Sequence, residues 1–338
     1  MPLRQIAGHR HLLELIASAT TRGSLPPSII FAGPQGVGKR MAAVAVAQLV
    51  NCLAPVSFNG DSGSDPEIRD ACGVCASCTR IARGVHADVL IVEPGDTGTI
   101  KVDQVRDAIE RTGYRPFEGR RRVIIFDDID TMLAEAQNAL LKTLEEPPTA
   151  SMFILVTSRP DVLLPTVRSR CQRLRFGRLS ASEIARVLIE RHKYAPSEAH
   201  AIAATSDGSI GAALEGGSDE LVEARDTAAE MLRAVATGTD PRRRLDGGKT
   251  LAGTGDRDDV RRRLRALASL LRDLGALGAR ADERHLANVD VLDSLRRLTT
   301  AYDRDRVTQA FTAVDRALEA IDRNASPKIV ADWLAFQI

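Results

Sequence analysis

A glycine-rich loop near the amino terminus constrains the fold of this chain more than any other feature. Residues 31–40 read FAGPQGVGKR and lie between a short apolar run and a run rich in alanine and valine. A strand, a glycine-rich loop and a helix in this order form a phosphate-binding loop, in which backbone N–H groups converge on an anion and a lysine adds positive charge. The residues predicted to contact nucleotide phosphate are Gly33, Gly36, Gly38 and Lys39.

The position after the lysine departs from this pattern. A phosphate-binding loop normally has Ser or Thr there, whose hydroxyl binds Mg²⁺, but this chain has Arg40. A guanidinium has no lone pair to offer a metal ion and repels it. An apolar strand predicted over 123–126 delivers Asp127, where a nucleotidase places its metal-binding acid, and Asp128 stands where an ATPase usually has Glu. We therefore predict that any ATP or ADP bound here is not hydrolysed by this chain.

The cysteines predict a metal site. Cys72, Cys75 and Cys78 are each separated by two residues, a spacing that lets their thiolates face one cation. A structural zinc site needs about four ligands, so we predict Cys52 as the fourth, with His86 as the alternative. Four protein ligands leave no open position for water, and the predicted role of Zn²⁺ is therefore structural.

The order of the apolar segments predicts an α/β region followed by helices. Strands that alternate with helices favour a five-stranded parallel sheet with flanking helices. Farther along, apolar residues recur at helical spacing, and a polar linker is predicted over 238–255. A length of 338 residues allows two or three domains. The predicted domains are 1–177, α/β with a zinc knuckle at about 52–78, then 178–217, helical, and 218–338, helical.

Charge and hydropathy exclude two classes of protein. A formal net charge of +1 predicts no general attraction to nucleic acid or to a membrane. No uninterrupted apolar run reaches the roughly 18 residues that a membrane span requires, and the amino terminus has no apolar export segment, so we expect a cytoplasmic protein. The basic runs 120–122 and 242–244 are predicted to be solvated turns rather than DNA contacts, because no aromatic residues interleave with them.

Several motifs resemble the clamp-loader family of AAA+ proteins. They are the loop at 33–39, the cysteine knuckle, 124–128, ALLKTLEEPP at 139–148, RSRC at 168–171, GSIGAAL at 208–214 and NASP at 324–327. The combination of LEEPP with SRC is specific to that family, whereas the phosphate loop alone occurs in many unrelated enzymes. The dense matches lie in the first half of the chain.

The resemblance implies an AAA+ α/β module, a small helical lid over 178–217 and an all-α collar over 218–338 that holds subunits together. It also implies a hetero-pentamer that uses ATP to load a ring-shaped sliding clamp on primer–template DNA. The implied partners are ATPase subunits of the gamma/tau type and a delta-type subunit. Arg170 of the SRC motif matches the arginine finger, which stabilises charge at the ATP site of a neighbouring subunit.

Departures in three motifs favour a non-hydrolysing, stationary member of that family. Besides Arg40 and Asp128, Gly211 falls where ATPase members have a phosphate-contacting lid arginine. Thr157 matches the sensor position but is given no catalytic role. Two alternatives stay open: an active, gamma/tau-like ATPase subunit that tolerates Arg40, and a zinc-dependent DNA-binding module that keeps an inert nucleotide fold.

Overall fold

A five-stranded parallel sheet forms the centre of the first of two compact units. The computed structural model describes residues 1–58, 68–95, 97–215, 218–236, 241–253, 256–281, 286–288 and 291–338, and divides into Met1–Arg178 and Leu179–Ile338. The strands are β1 (Ser28–Ala32), β2 (Val56–Ser57), β3 (Arg69–Asp70), β4 (Val89–Val92), β5 (Arg122–Phe126), β6 (Ser151–Thr157) and β7 (Gln172–Arg175). The sheet has the order β4-β5-β6-β1-β7, and β2 pairs with β3 in a separate antiparallel ladder. The predicted five-stranded parallel sheet is confirmed.

Helices cover both faces of this sheet. They are α1 (Arg10–Thr21), α2 (Lys39–Asn51), α3 (Ala76–Ala82), α4 (Val102–Thr112), α5 (Ala134–Glu145) and α6 (Pro165–Arg168), with short 3₁₀ turns at Leu3–Gln5, Ile129–Thr131 and Pro160–Val162. Side chains alternate along a strand, so Ile29 and Phe31 pack with α1 and α2 on one face while Ile30 packs with α4 and α5 on the other. Both faces are covered, which explains why β1 and β6 are continuous apolar runs.

A buried carboxylate fixes the loop that enters β5. Asp88 accepts hydrogen bonds from the backbone N–H groups of Phe117, Glu118 and Gly119 at 2.7–2.8 Å, and from the Arg122 guanidinium at 3.0 Å. Burial by itself would raise the pKa of Asp88, but these donors outweigh it and lower the pKa to about 2. Arg122 is therefore a partly buried anchor rather than part of a solvated turn, and that part of the prediction is wrong.

We expect Asp88→Asn to lower the free energy of unfolding by about 2 kcal/mol at neutral pH, because the lowered pKa reports that much stabilisation of the charged form. The folded-state pKa lies below the unfolded-state value, so this contribution is fully present above about pH 4 and is lost as the pH falls towards about 2. Denaturant unfolding at several pH values measures it. Asp103→Asn, at an exposed carboxylate, is the control. A difference between wild type and Asp88→Asn that does not shrink below pH 4 would contradict this account.

The second unit is built from helices and has no strand among its described residues. Its helices are α7 (Ala181–His192), α8 (Pro196–Thr205), α9 (Ile210–Glu215), α10 (Ser218–Ala236), α11 (Pro241–Ala252), α12 (Arg257–Gly278), α13 (Leu292–Leu298), α14 (Arg304–Asp322) and α15 (Pro327–Gln337). Ile184, Leu188 and Ile202 belong to one apolar cluster, and helices α10 to α15 share a larger one. The contacts between residues join Leu179–Ile338 into one compact unit. The division of this unit into a lid and a collar therefore stays a prediction. In the described parts of the chain, no helix has the length and apolar character needed to cross a bilayer.

The polar linker predicted over 238–255 is wrong for its central part, which forms α11. The segment was predicted as a linker because its composition is polar. It contains two buried glycines, Gly247 and Gly248, and Gly248 lets α11 approach α15 closely. A Cβ at Gly248 would lie 3.1–3.2 Å from atoms of Ala331 and Asp332, so a larger residue would push the helices apart. The basic run 242–244 is accordingly helical rather than a turn, whereas residues 237–240 and 254–255 lie outside the described residues.

Candidate functional site

The phosphate-binding loop connects β1 to α2 at the carboxyl edge of the sheet. Gly36 and Gly38 have φ angles of 72° and 97°, in the left-handed region that residues with side chains rarely adopt. Gly33 lies against the backbone carbonyl of Phe176, with which a Cβ would collide. The strand, loop and helix therefore stand where the sequence pattern predicts them, and α2 begins at Lys39.

The Lys39 amine is bound by the loop itself. Its Nζ donates to the backbone carbonyls of Gly33 at 2.8 Å and Pro34 at 2.6 Å. Lys39 is buried, and burial lowers its pKa while Asp128 and Asp127 oppose that shift. The carbonyl groups of the loop thus already bind the positive charge of Lys39. A phosphate would have to replace both of them as partners of the amine.

Arg40 lies between two carboxylates at the same edge of the sheet. Its guanidinium donates to Asp127 Oδ2 at 3.1 Å and forms an ion pair with Glu93. Asp127 follows β5 and Glu93 follows β4, and these strands are parallel neighbours, so both acids reach one edge. Burial and then Asp128 raise the pKa of Asp127, while Arg40 lowers it. The positive charge beside Asp127 is thus a guanidinium, which cannot coordinate a metal ion.

Of the two neighbouring acids, Asp130 is hydrogen-bonded within the chain. Asp128 adopts a left-handed φ of 51°, and burial, followed by the charge of Asp130, raises its pKa. Thr157 at the end of β6 donates its hydroxyl to Asp130 at 2.8 Å, and Arg159 Nε donates to the same carboxylate at 3.0 Å. Sequence reasoning missed Asp130 and Glu93. Their position just after β5 and β4 was the available signal, since acids at strand ends gather at one edge.

Arg170, the predicted arginine finger, lies in the SRC motif and contacts the LEEPP motif. It lies between α6 and β7, where one guanidinium nitrogen pairs with Glu145 at 3.2 Å and another donates to the carbonyl of Thr166 at 3.0 Å. Its Nε is buried and has no hydrogen-bond partner among the described atoms. Glu145 belongs to LEEPP and Arg170 to SRC, so the two motifs that make the resemblance specific meet in one ion pair.

Arg170 and the phosphate loop lie at opposite edges of the sheet. Ile29 of β1 is level with Gln172 of β7, and Ala32 is level with Arg175. Arg170 precedes β7 and therefore lies at the amino edge, whereas the loop follows β1 at the carboxyl edge. The strand between them advances by roughly 10 Å. The predicted site residues thus fall into separate groups, and Arg170 is not part of its own chain's loop site.

The four predicted cysteine ligands come together in the described structure. The sulfur atoms of Cys52, Cys72, Cys75 and Cys78 all lie within 4.8 Å of one another, and each thiol is free. Cys52 follows α2, and the β2–β3 ladder returns the chain so that the Cys72 N–H donates to the Cys52 sulfur at 3.2 Å. This cluster can hold a metal ion.

The environment of the thiols fits metal binding, and that of His86 does not. Burial would raise the pKa of Cys75, but N–H donors from Cys78 and Leu53 bring it to about 6, which favours a thiolate. Burial raises the pKa of Cys52. The His86 ring uses both nitrogens elsewhere: Nδ1 accepts from the Asp88 N–H at 3.1 Å, and Nε2 lies 3.2 Å from the Ser77 hydroxyl. The geometry therefore favours Cys52 over His86.

The sequence is similar to subunits of DNA polymerase III. The family model described as "DNA polymerase III, delta subunit" matches residues 8–180. The tau subunit of Bacillus subtilis is 33% identical over 180 residues, which are 53% of this chain and 30% of that protein. The gamma/tau subunit of Mycobacterium tuberculosis is 32% identical over 187 residues, which are 55% and 30% of the two chains. The delta' subunit of Bacillus subtilis is 32% identical over 214 residues, which are 63% and 61%.

This chain thus spans about a third of the length of the tau and gamma/tau relatives. Among solved structures, a DNA polymerase III gamma subunit-related protein of Thermotoga maritima has a TM-score of 0.44 at 16% identity, covering 95% of this chain and 97% of that one. The strand order, the loop and the helical second unit agree with the predicted α/β module followed by helices. Because the family model matches just over half of the 338 residues, the chain belongs to the DNA polymerase III delta-subunit family.

Proposed function

We propose that this chain is a delta-prime-type, non-hydrolysing subunit of a DNA polymerase III clamp loader, and that it supplies Arg170 to the ATP site of a neighbouring subunit. The observation that carries the proposal is the position of Arg170 at the edge of the sheet opposite the chain's own loop. From there its guanidinium can stabilise a γ-phosphate only on another subunit. Its ion pair with Glu145 is partly exposed and can open at small cost.

The chain's own loop supports the same proposal. Lys39 is held by carbonyls of the loop, and Arg40 takes the place of a metal-binding hydroxyl. Thr157, at the sensor position, donates to Asp130. Lys39, Asp127 and Thr157 therefore have internal partners, and Arg40 has the wrong chemistry to bind Mg²⁺.

The proposed partners are gamma/tau-type ATPase subunits and a delta-type subunit in a hetero-pentamer that loads a sliding clamp on primer–template DNA. The test compares ATP turnover by the isolated chain with turnover by the assembly. We expect no steady hydrolysis by the isolated chain and hydrolysis by the assembly that depends on Arg170. Steady turnover by the isolated chain that Lys39→Ala abolishes would instead identify an active, gamma/tau-like ATPase.

We expect Arg40→Thr to give the loop Mg²⁺-dependent nucleotide binding. The substitution removes the guanidinium from Asp127 and Glu93 and adds a hydroxyl that can bind the metal. Affinity for a fluorescent ATP analogue should rise by roughly tenfold or more when Mg²⁺ is added. Arg106→Thr, which removes an exposed arginine from α4, is the control. Equal nucleotide affinity in wild type and Arg40→Thr at saturating Mg²⁺ would show that Arg40 does not block the metal position.

We also propose that the cysteine cluster binds a structural zinc ion. A tetrahedron of sulfur atoms around zinc, with Zn–S distances of about 2.3 Å, has edges of roughly 3.8 Å. Sulfur atoms already within 4.8 Å of one another can reach that geometry by small side-chain rotations. Cys52, Cys72, Cys75 and Cys78 would supply all four bonds, so the ion would tie the end of α2 to the start of α3 and leave no coordination position for water.

A further inference from the structure

A cavity of about 340 Å³ opens at the amino edge of the sheet. It lies beside the carboxyl ends of α1 and α2 and the start of β6, so it is separate from the phosphate loop at the opposite edge. Its apolar part is formed by Leu25, Leu49, Val50 and Met152. A cavity of this volume is large enough to take up an apolar side chain together with part of a peptide backbone.

Three arginines also line the cavity: Arg69, Arg120 and Arg121. Within the described ranges, none of their guanidinium groups has a hydrogen bond or an ion pair, and no carboxylate is among the described residues that line the cavity. The next arginine along the chain contrasts with them, because Arg122 pairs with the buried Asp88. The cavity therefore concentrates positive charge that the described part of the protein does not neutralise.

The backbone of these arginines is held in place by polar contacts. Asn51 Oδ1 accepts the N–H groups of Arg120 and Arg121 at 2.8 and 2.9 Å, and the Asn51 amide donates to the carbonyl of Arg121 at 3.0 Å. Across the cavity, the Arg69 N–H donates to the Thr21 hydroxyl at 2.9 Å. A ligand would meet arginines on a fixed backbone, which reduces the entropy lost on binding.

We propose that this cavity binds an acidic peptide segment of a partner protein. One apolar side chain of the peptide would fill the apolar part of the cavity beside Leu25, Leu49 and Val50. The carboxylates of the peptide would pair with the three arginines, whose planar forks match carboxylate geometry. The observations favour a peptide over single-stranded nucleic acid. No aromatic side chain for base stacking lines the cavity among the described residues, and the space is a discrete pocket rather than a groove that follows a backbone.

The test is fluorescence anisotropy of the full chain with a labelled peptide of four aspartates and a carboxyl-terminal leucine. We expect a dissociation constant below about 100 µM that weakens as salt is added. Arg121→Gln and Arg69→Gln should each weaken binding by about tenfold, the loss expected for a charge-assisted hydrogen bond. Arg115→Gln, an exposed arginine of the same loop outside the cavity, is the matched control and should change affinity less than twofold.

Two further peptides separate the parts of the proposal. Replacing the aspartates by asparagine, or the leucine by glycine, should each reduce affinity, because the first removes the charge and the second the apolar anchor. No binding by the wild type, equal loss of affinity in Arg115→Gln, or equal affinity for an oligothymidine of the same charge would overturn the proposal.

A variant with Asp61, Asp65 and Glu67 neutralised should bind the peptide as the wild type does. A gain of about tenfold would assign the arginines to those acids of the chain itself and overturn the proposal.

Discussion

Arg170→Ala is expected to slow ATP hydrolysis at the neighbouring subunit's site by about 10³-fold or more, while this chain stays folded. An arginine finger spreads the charge that develops on the transferred phosphoryl group, and a methyl group cannot do this. The stability of the chain should change by no more than about 1 kcal/mol, because the ion pair with Glu145 is partly exposed. The measurement is single-turnover hydrolysis by an assembly whose other ATP sites carry inactivated phosphate loops.

Two further variants make this experiment specific. Arg168→Ala removes an arginine two residues away, which pairs with Asp161 at 3.2 Å, and should leave the rate within about twofold. Arg170→Lys keeps the charge but loses the planar fork, and should remain slow. An unchanged rate in Arg170→Ala, or an equal loss in Arg168→Ala, would refute the assignment of Arg170 as the finger.

Cys75→Ser is expected to release about one zinc ion per chain and to destabilise the first unit by an amount on the order of 5 kcal/mol. This is less than the roughly 10–16 kcal/mol that zinc supplies to small zinc-folded peptides, because the sheet already gives this unit a core. Native mass spectrometry measures the zinc content. Thermal unfolding with and without a chelator measures the stabilisation.

Cys171→Ser is the matched control for this substitution. Cys171 is also buried, and burial raises its pKa to about 12, but it lies outside the sulfur cluster. The Cys171→Ser variant should keep the zinc, and its free energy of unfolding should fall by no more than the small packing contribution of one thiol. A native chain without metal whose unfolding temperature does not respond to chelator would rule out a structural zinc site.

The parts of the fold that depend on local sequence could be predicted. β1 forms over Ser28–Ala32, the segment that the apolar run indicated, because the strand and the glycine loop after it are encoded within a few residues. The cysteine spacing likewise predicted three of the four clustered thiols, because cysteines with two residues between them can direct their sulfur atoms at one cation. The fourth ligand, Cys52, was predicted because a structural zinc site needs about four ligands.

Features that depend on which elements are neighbours could not be predicted. Glu93 meets Arg40 because β4 pairs with β5, and no pattern in the sequence states strand order. Glu145 and Arg170 were recognised as parts of separate motifs, and their ion pair required the α5 end to lie beside the turn before β7. The prediction of a linker at α11 was wrong for the same reason. The role of Gly248 depends on the close packing of α15 against it, which the local sequence does not show.

The separation of Arg170 from the chain's own loop by the width of the sheet gives an assembly a direction. Subunits that each pass an arginine to the next one's nucleotide join head to tail, all pointing the same way. A member that gives an arginine but cannot use one has a productive neighbour on one side only. If Arg170 works as proposed, this polypeptide starts the row, and each complex contains a single copy of it.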